Sequence, residues 1–395
     1  MTTRLLHGIG ELTTNDPTVG DATAMGRLTD AALILDEDVV VWVGPARGAP
    51  AADTARDLGG RAVIPGFVDS HTHLVFAGER SDEFEARLQG RPYDGGGIGR
   101  TVAATRAAST EQLVAAASAR RRLLARGGVT TLEVKSGYEL TLEGERRSLA
   151  VAATLTDEVT FLGAHVVPAE YAGDREAYVA LVAGEMLAAC APLARWADVF
   201  CDTGAFSVDE ARTILTAARQ HGLGLRLHGN QLGPGSGVAL AVELQAASVD
   251  HCSHLSDDDV AALAGSTTVA TLLPGAEFFS GGPPPSGRRL LDAGVTVALA
   301  TDCNPGTSYL TSMTTAIWLA VREMQMTPDE ALWAATAGGA RALCRSDVGV
   351  LGVGARADLV ILDAPRAAHL AYRFGDVIEE VMTAREAPGA SRVPA

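Results

Sequence analysis

Between Gly66 and Asp302 the chain alternates short apolar runs with segments of helical periodicity, and it does so eight times. The runs are GFVDSHTH (66–73), VTTLEVKSG (129–137), VTFLGAHVV (159–167), ADVFCDT (197–203), GLRLHGNQ (224–231), ASVDHCS (247–253), VATLLPG (269–275) and VTVALATD (295–302). The intervening segments carry helix-start chemistry. STEQLVAAASARRRLLARGG (109–128) opens on a Ser-x-x-Gln capping box and SVDEARTILTAARQHG (207–222) on Ser-x-x-Glu, and both close in Gly. Strands that are apolar nearly throughout and separated by helices are buried on both faces and pair in parallel. Eight such units in this length predict an α/β fold with a closed (β/α)8 TIM-like barrel; an open doubly wound sheet is the alternative the pattern leaves.

The two ends read differently. AALILDEDVVVWVGPA (31–46) and GVLGVGARADLVILDAP (349–365) are short strands joined by Gly, Pro and Asp turns, with no long helix between them. We expect residues 1–65 and 348–395 to combine into one small β-sandwich domain flanking a barrel over 66–347.

In such a barrel the active site lies at the carboxyl ends of the strands. His71 and His73 close the first run and share a face, because strand periodicity is two. His165 closes the third, His228 the fifth, His251 the sixth and Asp302 the eighth, so five of the nine histidines gather at one mouth. Any one of them alone is readily explained by packing. Together, His71, His73, His228 and Asp302 make an N/O ligand set that suits zinc or iron and suits magnesium or calcium poorly. A metal with an open position lowers the pKa of water toward neutrality and supplies a nucleophile.

Composition narrows the field further. The net charge of −16 and the absence of a long basic cluster make nucleic acid or an anionic membrane an unsuitable partner. No signal-like segment opens the chain and no run approaches the apolar length of a membrane span, so a cytoplasmic protein is expected. Five scattered cysteines without a C-x-x-C fit a reducing compartment and no thiolate zinc site. Among 32 basic residues only Lys135 is lysine. No phosphate-binding loop or nucleophile elbow is present, and GGGIG (95–99) lacks a dinucleotide-binding context.

These residues resemble the amidohydrolase superfamily. The resemblance rests on PGFVDSHTH, the strand-five and strand-six histidines, ATD (300–302) and the terminal GVGARADLVILD (352–363). Narrower likenesses run in order through HTHLVFAGER, GGGI, TRAAS, EVKSGYEL, LGAHVVP, LLPG and TDCNPGTS. They are similar to the branch that opens the ring C–N bond of 4-imidazolone-5-propanoate with water, giving N-formimino-L-glutamate in histidine degradation. The resemblance implies one zinc or iron ion on His71, His73, His228 and Asp302. The fourth strand has no lysine for a second, bridged metal. It implies a substrate site of Arg80 for the propionate, with Tyr138, His165, Asn304, Gly306 and Thr307.

At strand five many relatives carry His-x-x-Glu, and here Gln231 stands in the Glu position. An amide hydrogen-bonds a substrate but cannot titrate. Gln231 is therefore expected to bind substrate and assist catalysis, while His251 orients or deprotonates the water. Asp302 then carries the proton to the departing ring nitrogen. A cyclic-amidine deaminase is the alternative enzyme, and it would release ammonia. A scaffold that has lost its chemistry is the non-enzyme alternative, which the complete ligand set opposes. The partner is a small molecule, and a homodimer is the default assembly.

Overall fold

The computed structural model describes residues 2–89 and 97–384. The first two glycines of the 95–98 motif and residues 385–395 of the terminal segment lie outside the described residues. Five strands open the chain: β1 (Thr3–Thr13), β2 (Arg27–Asp36), β3 (Val39–Pro45), β4 (Thr54–Asp57) and β5 (Val63–Pro65). Eight more follow, alternating with helices: β6 (Phe67–Asp69), β7 (Val129–Lys135), β8 (Glu158–Ala164), β9 (Trp196–Cys201), β10 (Gly224–Gly229), β11 (Ser248–His251), β12 (Val269–Leu272) and β13 (Val297–Leu299). Two close the described chain, β14 (Leu359–Leu362) and β15 (Ile378–Met382).

Strands β6 to β13 pair in parallel in sequence order. No ladder joins β13 to β6. The two meet just beyond their ends, through a parallel bridge between Thr72 and Cys303. Asp302 N–H donates to the His71 carbonyl at 3.1 Å and His73 N–H to that of Cys303 at 3.0 Å. Below them the Asp69 carboxylate accepts from the Thr301 amide at 3.0 Å and hydroxyl at 2.6 Å. The barrel is thus nearly closed, and its seam runs beside the candidate ligands.

The terminal strands join in one seven-stranded sheet ordered β15-β14-β5-β1-β2-β3, with β4 also on β1. Leu6, Ile9, Leu33, Leu359 and Ile361 build its core. Leu6 and Ile9 are three residues apart, so a regular strand would turn one of them outward. A register shift between them, at Gly8 with φ +64°, turns both inward. A Cβ on Gly8 would stand 2.0 Å from the Asp57 carboxylate.

The expected capping boxes form at Ser109–Gln112 and Ser207–Glu210. One sequence expectation is corrected. The helical segment Arg175–Leu193 is long and apolar enough, by length and composition alone, to cross a membrane. Tyr178, Val182, Met186, Leu187 and Cys190 form a buried stripe on it that belongs to the barrel's own core.

Candidate metal centre and substrate pocket

His71 and His73 follow β6 directly, His228 lies in β10, His251 ends β11, and Asp302 lies three residues past β13. All five side chains are buried. Asn230, His251, Cys252 and Asp302 adopt positive φ between 51° and 79°, a conformation that non-glycine residues hold only when their surroundings enforce it. The strained turns all lie at carboxyl ends of barrel strands, where they aim side chains into the mouth.

The Nε2 atoms of His71 and His73 are 3.2 Å apart, and those of His73 and His228 3.4 Å. Asp302 Oδ1 stands 3.6 Å from both His71 Nε2 and His73 Nε2. Ligands about 2.0–2.1 Å from a zinc-sized ion stand about 3.3–3.4 Å from one another in a tetrahedron. The opposite ring nitrogens fix the tautomers. His71 Nδ1 lies 2.7 Å from the Asp250 carboxylate, and His228 Nδ1 3.0 Å from that of Asp198. Nearby cations hold Asp198 and Asp250 below the usual carboxylate range in spite of burial, so both accept. With Nδ1–H donating, the rings of His71 and His228 both turn Nε2 toward His73 Nε2, a nitrogen that can offer a proton to one of them at most. Burial drives His71 and His73 well below the ordinary histidine pKa, so an extra proton on either of them does not resolve the conflict. A cation does. The residues therefore fit a single metal ion.

His251 shares the cluster: its ligand atom lies within 4.8 Å of those of His71 and His228. Among the described residues, His251 Nδ1, His73 Nδ1 and Asp302 Oδ2 are buried without a hydrogen-bond partner. Burial raises the Asp302 carboxyl well above its usual range.

Beneath the ligands lies a layer of buried charge that the sequence reading did not anticipate. Lys135 Nζ is 2.7 Å from Glu133 Oε1, 2.8 Å from Asp198 Oδ2 and 3.8 Å from Asp250 Oδ2. Arg226 lies 3.5 Å from Asp250 and donates to the carbonyls of Ser70 and Ala342. Glu133 also accepts from the Thr72 amide at 3.1 Å and from the Thr160 hydroxyl. Three carboxylates against two cations leave this layer with one carboxylate in excess, beside the candidate ligands. A sequence signal existed: a lone acid inside an otherwise apolar, buried strand, as in ADVF or SVDH, has to be paired.

A cavity of about 550 Å³ opens above this centre. Arg80, Tyr138, His165, Gln231, Asn304, Gly306 and Thr307 all line it, together with His73, His228, His251 and Asp302. Every site residue expected from sequence is brought to this mouth except His71, which lies deeper, within the ligand cluster. The buried His165 ring stacks on His73 at 5.3 Å, and its Nδ1 donates to the Gly137 carbonyl at 3.0 Å. Desolvation pushes its pKa down to about 3, so it is neutral. Asn304 Oδ1 accepts from the amides of Gly306 and Thr307, both at 2.8 Å, and its Nδ2 donates to the Asp302 carbonyl at 2.8 Å. Its amide therefore shapes the loop that follows Asp302.

Arg80 is buried, and Glu83 holds one edge of its guanidinium, 3.0 Å from Nε and 2.6 Å from Nη2. A Cβ on Gly306 would meet Arg80 Nη1 at 2.5 Å, and one on Gly97 would meet Nη2 at 2.2 Å. Two glycines leave the room that the fork occupies. Glu83 was not singled out from sequence, although it stands at i+3 from Arg80 in the first turn of the helix Ser81–Leu88.

A sequence model described as "Amidohydrolase family" matches residues 95–382, a span that contains His228, His251 and Asp302. The chain is 61% identical over 375 residues to the imidazolonepropionase of Mycolicibacterium smegmatis, covering 95% of this chain and 94% of the relative. It is 60% identical over 375 residues to that of Streptomyces griseus subsp. griseus, covering 95% and 96%. In fold it is similar to the crystal structure of an adenosine deaminase from Xanthomonas campestris with bound zinc. The TM-score is 0.67 at 20% identity, over 96% of this chain and 91% of the other.

Proposed function

The chain belongs to the amidohydrolase family, and on that premise we propose how its site performs the reaction of the imidazolonepropionases with which it groups. That reaction is the hydrolysis of a cyclic amide C–N bond in imidazolone propionate, a step of histidine degradation. The family is metal-dependent.

In our reading one ion, zinc or iron, is held by His71, His73, His228 and Asp302. The observation that carries it is the set of Nε2 separations of 3.2 and 3.4 Å between imidazoles whose other nitrogens are committed to carboxylates. A metal held there would polarise the ring carbonyl and lower the pKa of water toward neutrality. The remaining steps fall to this chain's own side chains. Arg80, oriented by Glu83, takes the propionate through a charge-assisted hydrogen bond. Tyr138, His165 and Gln231 border the ring, and the loop of Asn304, Gly306 and Thr307 closes the side next to Asp302. His251 offers an unpartnered nitrogen to the attacking water. Asp302 Oδ2, buried without a hydrogen-bond partner, takes the proton and passes it to the departing ring nitrogen, giving N-formimino-L-glutamate. Gln231 cannot titrate and only orients the substrate.

The test is an assay with fresh imidazolone propionate on metal-analysed protein, alongside Arg80→Ala. The variant should keep its metal and show a raised KM; an unchanged KM rejects the carboxylate assignment. Ammonia release without ring opening would favour a deaminase. A homodimer and a cytoplasmic location belong to the same reading and are tested by sedimentation velocity and cell fractionation.

A further inference from the structure

Of 32 basic residues 31 are arginine, and the single lysine is the fully buried one beneath the ligands. A chain that uses arginine everywhere else keeps lysine at the one place where three carboxylates converge. We propose that Lys135 is a positioning residue for the metal centre, holding His71, His73 and His228 at metal-binding spacing through three separate links. The inference rests on the metal assignment above.

Through Asp198, whose Oδ2 is 2.8 Å from Nζ, the ammonium fixes the carboxylate that receives the His228 Nδ1 proton. Asp250, at 3.8 Å, is a longer ion pair, and it anchors His71 at 2.7 Å. The third link runs through Glu133, at 2.7 Å, whose other oxygen accepts from the amide of Thr72, the residue between His71 and His73. Lys135's own backbone N–H donates to the Thr72 carbonyl at 2.9 Å. One compact charge with three donors serves acceptors on β7, β9 and β11. A guanidinium is a wide planar fork that spreads its charge and demands in-plane partners. The neighbouring Arg226 uses such a fork on the backbone carbonyls of Ser70 and Ala342. Glu133 and Asp198 approach Nζ instead as a point charge.

The experiment is metal release to a competing chelator. The variants are Lys135→Met, Lys135→Arg and the double variant Lys135→Met/Glu133→Gln, which removes one cation and one carboxylate and so conserves the layer's charge. All three should release metal about 10–100-fold more readily than wild type, the size of effect seen when partners of metal ligands are lost. Retention within threefold of wild type in the double variant overturns the proposal. Full rescue by Lys135→Arg overturns the requirement for a compact ammonium. A second measurement needs no variant. In wild-type protein grown on [13C,15N]-lysine there is one Cε–Nζ signal, and it should shift when the chelator removes the metal. A signal that stays in place also overturns the proposal. If wild-type protein takes up no metal, the metal assignment itself falls, and this inference with it.

Discussion

His165 and His251 border the same cavity, yet they face different tests. An unfolded histidine takes a proton near pH 6.5, whereas burial holds His165 at about 3. Between those values the unfolded chain binds the extra proton, so this residue's contribution makes stability fall as pH drops below 6.5. Asp69 and Glu277, both pushed up to about 7 by burial, act in the opposite direction. The effect of His165 is therefore isolated by comparison. The stability lost between pH 7.5 and 5 should be about 2 kcal/mol smaller in His165→Gln than in wild type, read from urea midpoints at each pH. For His251 the readout is kinetic: His251→Asn should retain one metal per chain and lose kcat by about 100-fold or more. Near-normal turnover with metal retained would remove His251 from the proton path. The clustering of the candidate ligands was legible in the sequence because strand ends are where a barrel places chemistry and because His71 and His73 share a strand face. Glu133, Asp198 and Asp250 were not. Their partners lie on other strands, and nothing local to ADVF or SVDH says which charge answers the acid.

The elements repeat this division between local and distant information. All eight barrel runs could be located from periodicity, and the boxes at Ser109 and Ser207 follow from a four-residue pattern. Two further boxes, Ser256–Asp259 and Thr327–Glu330, carry the same chemistry on helices of only 8 and 6 residues. The loop after β13 shows what a local pattern cannot convey. DCNPGT reads as a turn, but the need for glycine at 306 comes from Arg80, more than 200 residues earlier. Gly306→Ala places a methyl group 2.5 Å from Nη1, so the fork or the loop has to move. We expect KM for imidazolone propionate to rise at least fivefold, with metal content unchanged. An unaltered KM would mean that the loop yields without disturbing Arg80.

At the scale of the molecule, the barrel's one seam without a ladder lies where the candidate ligands gather. Strands β6 and β13 share no ladder, and the candidate ligands straddle the gap, His71 and His73 on one side and Asp302 on the other. Bound metal should therefore act as a clasp across the seam. At a hundredfold excess over Kd it adds about 2.7 kcal/mol of stability. Chelation should lower Tm and speed hydrogen exchange at the amides of His73 and Asp302, which bond across the seam, while the β9–β10 amides change little. Equal acceleration in both places would contradict the clasp. The solitary lysine has one more consequence, for proteolysis. A lysine-specific endoprotease has a single cleavage site in 395 residues, and that site is sealed inside the barrel. Folded protein should stay intact, and each global opening should yield the same two fragments, 1–135 and 136–395. The rate at which they appear thus reports how often the barrel opens.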